Sequence, residues 1–288
     1  MPDLATIEAD LATAEARVPN LRPGCEKRIV WADAPATKTP LSVLFIHGFS
    51  ATGQELRPLP DLVAQAFGAN LHFTRLTGHG QDGAAMGRAT FADWRRDVAE
   101  AVTIAQALGD RVIIMGCSTG CTLATLALTE GAQAQAMIHV SPNFGLRHWG
   151  LQTVLDLPGS RHWAKYVAGS SRSFEPISEA HKAYWTVEYP TAAVHVMADA
   201  VRAARHVDLS GITTPALFCF NNADQVVHPG DIRNVVERWG APTKVETLTQ
   251  TPDDDDMGHV MAGDVFSPGQ TAPLAAQIIA WLQALPTR

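Results

Sequence analysis

The feature of this sequence that most constrains its fold is an alternation of short apolar runs with longer helical stretches. Runs rich in β-branched and aromatic residues are mostly followed by segments with apolar residues at helical spacing, as far as about residue 140. This alternation is typical of a mostly parallel β-sheet flanked by helices. The predicted strands of this part are Glu26–Trp31, Ser42–Ile46, Asn70–Leu76, Val112–Met115 and Ala136–Val140, and the predicted helices are Glu55–Phe67, Phe91–Leu108 and Thr119–Thr129.

The alternation stops over residues 143–209 and then resumes. This segment contains no convincing strand, and helical stretches are indicated around Gln152 and over 178–186 and 193–205. After it, the predicted elements are the strands Pro215–Phe220 and Lys244–Leu248 and the helices Pro229–Trp239 and Ala272–Leu285. The sequence therefore predicts an α/β core built from residues 1–142 and 210–288. A helical cap over residues 143–209 is inserted after the strand at 136–140 and would cover one edge of the sheet.

Composition and charge argue against several classes of partner. The chain has 288 residues, of which 46% are hydrophobic and 18% charged, which suits a globular protein with a sizeable core. A net charge of −7 without a basic cluster argues against a nucleic-acid partner. No apolar run approaches the roughly 18 residues of a membrane helix, so we expect no stable membrane anchor.

The N-terminal sequence and the cysteines bear on location. The first residues carry neither a basic region nor an unbroken apolar stretch, which argues against a secretory signal. They instead show the helical spacing Leu4, Ile7, Leu11 and Ala14, which predicts a short amphipathic helix. The four cysteines form no metal-binding motif, and a chain of this size does not need disulfides. We therefore expect a cytoplasmic protein; its oligomeric state stays open, with a homodimer as one alternative.

The sequence Gly116-Cys117-Ser118-Thr119-Gly120 lies between a predicted buried strand and a predicted helix. Glycines on either side of Ser118 permit a tight turn and a strained serine that points its hydroxyl outward. The amides at the start of the following helix favour a developing negative charge, so the amide of Thr119 is a candidate oxyanion donor. Ser118 is thus a candidate nucleophile, the alternative being a small residue in a turn.

A serine nucleophile needs a base, and the base needs an orienting group. Asp224 and His259 both follow the carboxyl ends of predicted strands, the edge where α/β sheets collect their functional loops. His228 is a rival base, but it lies four residues from Asp224, which gives it little reach. The run Asp253–Asp256 offers a substitute acid, although we interpret it as a solvated loop.

Motifs in a fixed order along the chain indicate a family. They are His47-Gly48-Phe49, Leu76-Thr77-Gly78-His79-Gly80, Gly116-Cys117-Ser118-Thr119-Gly120, Ala223-Asp224-Gln225-Val226-Val227 and Gly258-His259. On these motifs the chain, from about residue 40 onward, resembles the α/β-hydrolases, and within them the monoacylglycerol-lipase and carboxylesterase group. Thr119 and Cys121 depart from the usual pattern of that group, which bears on the substrate class and not on the mechanism.

The resemblance implies a role for each matching residue. Ser118 is the nucleophile, Asp224 the orienting acid and His259 the base, while the amides of Phe49 and Thr119 form the oxyanion hole. No metal or organic cofactor is implied. His79 is interpreted as a residue that shapes its loop, and His47 as one that orients the oxyanion loop through hydrogen bonds; these two receive no chemical role.

The expected function is hydrolysis of a small-molecule carboxylic ester, of carboxylesterase or monoacylglycerol-lipase type, through an acyl-enzyme intermediate. A C–C bond hydrolase, a lactonase and a cofactor-free perhydrolase remain alternatives because they use the same three residues. A non-catalytic ligand-binding receptor is a further alternative. We predict substrate contacts for Trp149, Trp185 and Val226, although the aromatic residues of the cap could instead form the core of a small helical layer.

Overall fold

The computed structural model describes residues 2–286 except 158, 161, 162, 164, 165, 167 and 168, and only the backbone of 149, 151, 152 and 156. The strands are β1 (Arg28–Val30), β2 (Thr39–Ile46), β3 (Asn70–Phe73), β4 (Gly109–Cys117), β5 (Ala136–Val140), β6 (Ser171–Ser173), β7 (Glu188–Pro190), β8 (Ala216–Asn221) and β9 (Thr243–Leu248). The helices are α1 (Ile7–Ala16), α2 (Leu59–Ala66), α3 (Gly83–Arg88), α4 (Phe91–Leu108), α5 (Thr119–Thr129), α6 (Trp149–Asp156), α7 (Glu179–Tyr184), α8 (Thr191–His206), α9 (Pro229–Arg238) and α10 (Pro268–Ala284).

Seven strands form one sheet in the order β1-β3-β2-β4-β5-β8-β9. Strand β1 runs antiparallel to β3, and every other neighbouring pair is parallel. The mostly parallel sheet flanked by helices is therefore confirmed. Because the carboxyl ends of the parallel strands meet at one edge, the loops after β2, β4, β5, β8 and β9 lie together there.

The core consists of two apolar layers, one on each face of the sheet. Alternate residues of β2 face opposite sides, so Leu44 packs in the layer that contains Trp94 of α4, whereas Phe45 packs with Leu59 of α2. Both faces are covered by helices, which explains why the central strands are continuous apolar runs. Helix α1 is present as predicted, and its Ile7 joins a smaller apolar cluster with Ile29 and Leu108.

Residues 143–209 contain α6, α7 and α8, and also two strands that the sequence did not predict. Strands β6 and β7 pair antiparallel, with Ser171 opposite Pro190 and Ser173 opposite Glu188. The expectation of a segment without strands is therefore wrong. Each strand has only three residues and no buried side chain, so no apolar alternation marked it in the sequence.

Helix α3 was also not predicted. It has only six residues and two of them are glycines, which are poor helix formers. The helix begins because the side chain of Asp82 accepts a hydrogen bond from the amide of Ala85. Within the described part of the chain, we find no helix whose length and apolarity would let it span a membrane.

Candidate active site

Ser118 lies in the turn between β4 and α5 in a strained backbone conformation, with φ 48° and ψ −115°. Non-glycine residues rarely adopt a positive φ, so the surrounding bonds must hold it there. The amide of Ser118 donates to the carbonyl of Val140 at 3.0 Å, and its carbonyl accepts from the amides of Cys121 at 3.0 Å and Asn143 at 3.1 Å. These bonds tie the turn to the adjacent strand and to the helix.

Both glycines around Ser118 are required by close backbone contacts. A Cβ on Gly116 would lie 2.7 Å from the amide nitrogen of Cys121. A Cβ on Gly120 would lie 2.0 Å from the carbonyl oxygen of Ile46 at the end of β2. The pattern of glycines in the sequence is therefore a packing requirement of this turn.

The structure brings Ser118, His259 and Asp224 into one hydrogen-bonded line. Nε2 of His259 lies 3.0 Å from Oγ of Ser118, and Nδ1 lies 2.8 Å from Oδ2 of Asp224. The other oxygen of Asp224 accepts the amides of Val226 at 2.7 Å and Val227 at 2.9 Å. Because an ionised carboxylate only accepts hydrogen bonds, Nδ1 of His259 donates to it and Nε2 is left to accept the serine proton.

The electrostatic surroundings of His259 favour its protonated form. Burial lowers the pKa of the imidazole, but the charge and hydrogen bond of Asp224, with the charges of Asp255 and Glu55, outweigh it and raise the pKa above its usual value. The site can therefore withdraw a proton from the hydroxyl of Ser118 and stabilise the imidazolium that forms.

The acidic run 253–256 is solvated, as we expected, only at Asp253 and Asp256, which are exposed. Asp254 and Asp255 are both buried. Asp254 accepts the amide of Thr251 at 2.6 Å, and Asp255 accepts the amide of His259 at 2.9 Å. These carboxylates are buried because they replace water as acceptors for backbone amides inside a tight loop.

The loop His47-Gly48-Phe49 lies against Ser118. A Cβ on Gly48 would be 3.1 Å from Cβ of Ser118. The amide of Leu76 donates to Nε2 of His47 at 3.1 Å, so Nδ1 carries the proton and donates to the carbonyl of Gly48 at 2.8 Å. Burial lowers the pKa of His47 to about 4, which keeps it neutral for this bridge.

The two predicted oxyanion donors flank the turn. Thr119 is the first residue of α5, and the first amides of a helix have no partner within it. Phe49 follows Gly48, and its ring packs edge-on against Tyr189 at 5.1 Å. Their role in an oxyanion hole stays a prediction.

Glu55 is a buried acid of this site that the sequence did not reveal. Its Oε2 accepts the amide of Gly48 at 2.6 Å. Burial raises the pKa of Glu55 to about 7, although the Gly48 amide, the charge of His259 and the thiol of Cys117 pull it down. We expected a helix to begin at Glu55, but α2 begins at Leu59, so the residue lies in a loop that enters the core.

The residues predicted to contact substrate lie in different surroundings. Trp185 is buried in an aromatic cluster with His181 at 5.2 Å and Phe266 at 5.3 Å. Val226 packs partly buried against the core beside Asp224. The side chain of Trp149 lies outside the described residues. The side chain of His228, the rival base, is half-exposed, and its Nδ1 lies 3.5 Å from Oδ2 of Asp231.

Over the residues that the structure describes, no group of three or more histidine, cysteine, aspartate or glutamate side chains is arranged to hold a metal ion.

Comparison with known proteins identifies relatives of the chain. The sequence model of a family described as serine aminopeptidase, S33, matches residues 37–251. The chain is 29% identical over 203 residues to the thermostable monoacylglycerol lipase of Bacillus sp. (strain H-257), covering 68% of this chain and 75% of the relative. These matches confirm the resemblance to monoacylglycerol lipases that the motifs indicated.

Solved structures share the fold at low identity. One, from a study of the metagenome-derived lipolytic enzymes LipS and LipT, is 19% identical with a TM-score of 0.74 and covers 92% of this chain and 100% of its own. A soluble variant of the monoglyceride lipase of Saccharomyces cerevisiae is 13% identical with a TM-score of 0.67, covering 91% and 92%. This likeness confirms the predicted fold class.

Proposed function

Because the chain belongs to the serine aminopeptidase S33 family of α/β-hydrolases, we propose that it hydrolyses carboxylic esters with Ser118 as nucleophile, His259 as base and Asp224 as orienting acid. The observation that carries this proposal is the line of two hydrogen bonds, 3.0 Å and 2.8 Å long, that joins the three side chains. An ester substrate is favoured because the relative from Bacillus is a monoacylglycerol lipase.

In the first half of the reaction, Oγ of Ser118 attacks the ester carbonyl carbon while its proton passes to Nε2 of His259. The carbonyl oxygen becomes an oxyanion, which accepts hydrogen bonds from the amides of Phe49 and Thr119. The C–O bond to the alcohol then breaks, and the leaving oxygen takes the proton from Nε2. The acyl group remains on Ser118 as an ester.

In the second half, water replaces the alcohol. His259 removes a proton from water as the water oxygen attacks the acyl carbon, and the same amides hold the second oxyanion. Collapse returns the proton to Oγ of Ser118 and releases the carboxylic acid. Asp224 keeps Nδ1 protonated and stabilises the imidazolium in both halves.

Residues 143–209 are proposed to form the cap above this site, with residues 1–142 and 210–288 as the core. Support comes from Asn143, whose amide donates to the carbonyl of Ser118, and from Tyr189, which packs on Phe49. Trp185 and Val226 are proposed to contact the substrate from the cap and from the Asp224 loop.

The family description also raises peptide hydrolysis as a second candidate. An aminopeptidase needs an available carboxylate for the free amino group of its substrate. The three carboxylates whose charges act on His259 are Asp224, Asp255 and Glu55, and each already accepts backbone amides. This arrangement favours esters over peptides with a free amino group.

A cytoplasmic location is part of the proposal. All four cysteines are free thiols, as is usual in a reducing compartment.

The test is a series of p-nitrophenyl esters from acetate to palmitate, assayed on wild type and Ser118→Ala, with an aminoacyl p-nitroanilide, a lactone and a vinylogous diketone alongside. Hydrolysis that depends on Ser118 is expected, and the preferred chain length separates an esterase from a lipase. Unchanged turnover in Ser118→Ala would refute the assignment. Activity confined to the anilide, a lactone or a vinylogous diketone would move the reaction to one of the alternatives, and tight binding without turnover would indicate a receptor.

A further inference from the structure

We propose that Glu55 is a positioning residue for the reaction proposed above: its carboxylate fixes the Gly48 peptide that presents the oxyanion loop, and its charge adds to those of Asp224 and Asp255 on His259. This inference rests on the proposed function. It adds a residue that the family motifs did not single out.

Glu55 and Ser118 both border the space that a side chain on Gly48 would occupy. The amide of Gly48 donates to Oε2 of Glu55 at 2.6 Å, and a Cβ on Gly48 would lie 2.8 Å from Oε1 of Glu55 and 3.1 Å from Cβ of Ser118. Glu55 itself is only 3% exposed. Gly48 is therefore packed against both the carboxylate and the nucleophile, with no room for another residue type.

The direction of the Phe49 amide follows from this packing. The carbonyl of Gly48 and the amide of Phe49 belong to one planar trans peptide, so the N–H points opposite to the C=O. His47 holds that carbonyl through Nδ1 at 2.8 Å, and Glu55 holds the amide on the other side of Gly48. Both peptides that flank Gly48 are thus fixed, which aims the Phe49 N–H without any contact to substrate.

The charge of Glu55 acts on the base. It is one of three carboxylate charges that raise the pKa of His259, and the charge of His259 in turn lowers the pKa of Glu55 from the value that burial alone would give. When His259 becomes an imidazolium, its charge favours ionised Glu55. The ionisable groups that share this buried region include His259, Asp224, Asp255, His47, Arg75, Cys117 and Cys121.

Two variants separate the peptide contact from the charge. Glu55→Gln keeps an acceptor for the Gly48 amide and removes the charge; Glu55→Asp keeps the charge and withdraws the oxygen by one methylene. For Glu55→Gln we expect KM within about twofold of wild type, kcat lowered by about tenfold, and the acid limb of kcat/KM moved down by about 0.5 pH unit. For Glu55→Asp we expect kcat lowered by about 30-fold with the acid limb unchanged.

Asp97→Asn is the matched control, because Asp97 also accepts a loop amide at 2.6 Å, that of Thr77. It is expected to keep the wild-type pH profile. The proposal is overturned if Glu55→Gln has the wild-type kcat and the wild-type acid limb of kcat/KM, or if Glu55→Asp has the wild-type kcat. If one variant does not fold, the other decides. Ser118→Ala is measured in the same assay to separate the proposed function from the proposed role of Glu55. If activity survives in Ser118→Ala, the proposed function is refuted, and the Glu55 variants then report on another reaction.

Discussion

Asp255 accepts a 2.9 Å hydrogen bond from the backbone amide of His259, and the same oxygen accepts the amide of Val260 at 2.8 Å. Its second oxygen accepts the amide of Met257 at 3.2 Å. The loop that carries His259 is therefore folded around a buried carboxylate, whose bonds go to the backbone, while the ring bonds to Asp224. Asp255 therefore positions the backbone of His259, and Asp224 positions its ring.

Replacing Asp255 by alanine leaves these amides without an acceptor inside a buried loop. We expect a loss of about 1–3 kcal/mol in the free energy of unfolding and a lower kcat, because the ring loses its fixed position. Urea unfolding and ester kinetics on the same preparation measure both. The exposed neighbour Asp253 gives the control, since Asp253→Asn should change neither quantity. An Asp255→Ala protein with wild-type stability would contradict this account.

Asp224→Asn tests the orienting acid. The asparagine oxygen can still accept the amides of Val226 and Val227, so the fold should persist, but its amide group no longer holds the correct tautomer of His259. We expect kcat to fall by about 10³–10⁴-fold with an unchanged circular dichroism spectrum. A fall of less than tenfold would mean that another group, with Asp255 the first candidate, orients the ring.

Because Gly120 lies so close to strand β2, we expect a methyl group added at this position to destabilise the fold strongly. In Gly120→Ala the Cβ would lie 2.0 Å from the carbonyl oxygen of Ile46, so strand β2 and helix α5 must separate. We expect a destabilisation of about 3 kcal/mol or more, measured by thermal unfolding. Gly211 has no atom within 4 Å of its Cβ position, so Gly211→Ala should leave the melting temperature near wild type.

The burial of His139 predicts that the folded protein loses stability as the pH falls. Burial lowers its pKa to about 3, whereas an unfolded histidine titrates near 6.5. The unfolded chain therefore binds a proton that the folded chain excludes, and stability falls as the pH drops from 6.5 toward 3. Relative to His139→Phe, which keeps the stacking on Phe218, wild type should lose about 0.7 kcal/mol more between pH 7 and 6 and about 1.2 kcal/mol more between pH 6 and 5. Urea unfolding at pH 7, 6 and 5 gives the slopes, and parallel slopes would contradict the assignment.

The sequence predicted the core elements well where local pattern and burial agree. Helices α4 and α5 and strand β5 have the predicted bounds. Helix α4, for example, begins after Thr90, whose side chain caps it. Ser118, Asp224 and His259 were found because all three follow strands of one parallel sheet. Chain order and strand ends were sufficient to bring them to one edge.

The sequence did not predict the roles of residues whose hydrogen-bond partners are distant in the chain or lie in an irregular loop. Glu55 and Asp255 look like ordinary surface acids in the sequence, and only the folded backbone turns amides toward them. Strands β6 and β7 pair over residues 171–190 through three backbone positions each, without an apolar face. Such features depend on backbone geometry, which the pattern of side chains in the sequence does not reveal.

The burial of all four cysteines has a practical consequence for spectroscopy. Burial raises the pKa of each thiol, so the reactive thiolate is scarce at neutral pH. A cysteine introduced at an exposed position such as Ile177 would therefore react with maleimide dyes far faster than the native thiols. The wild-type background can thus serve directly for site-specific fluorescent labelling of residues 143–209, without first building a cysteine-free variant.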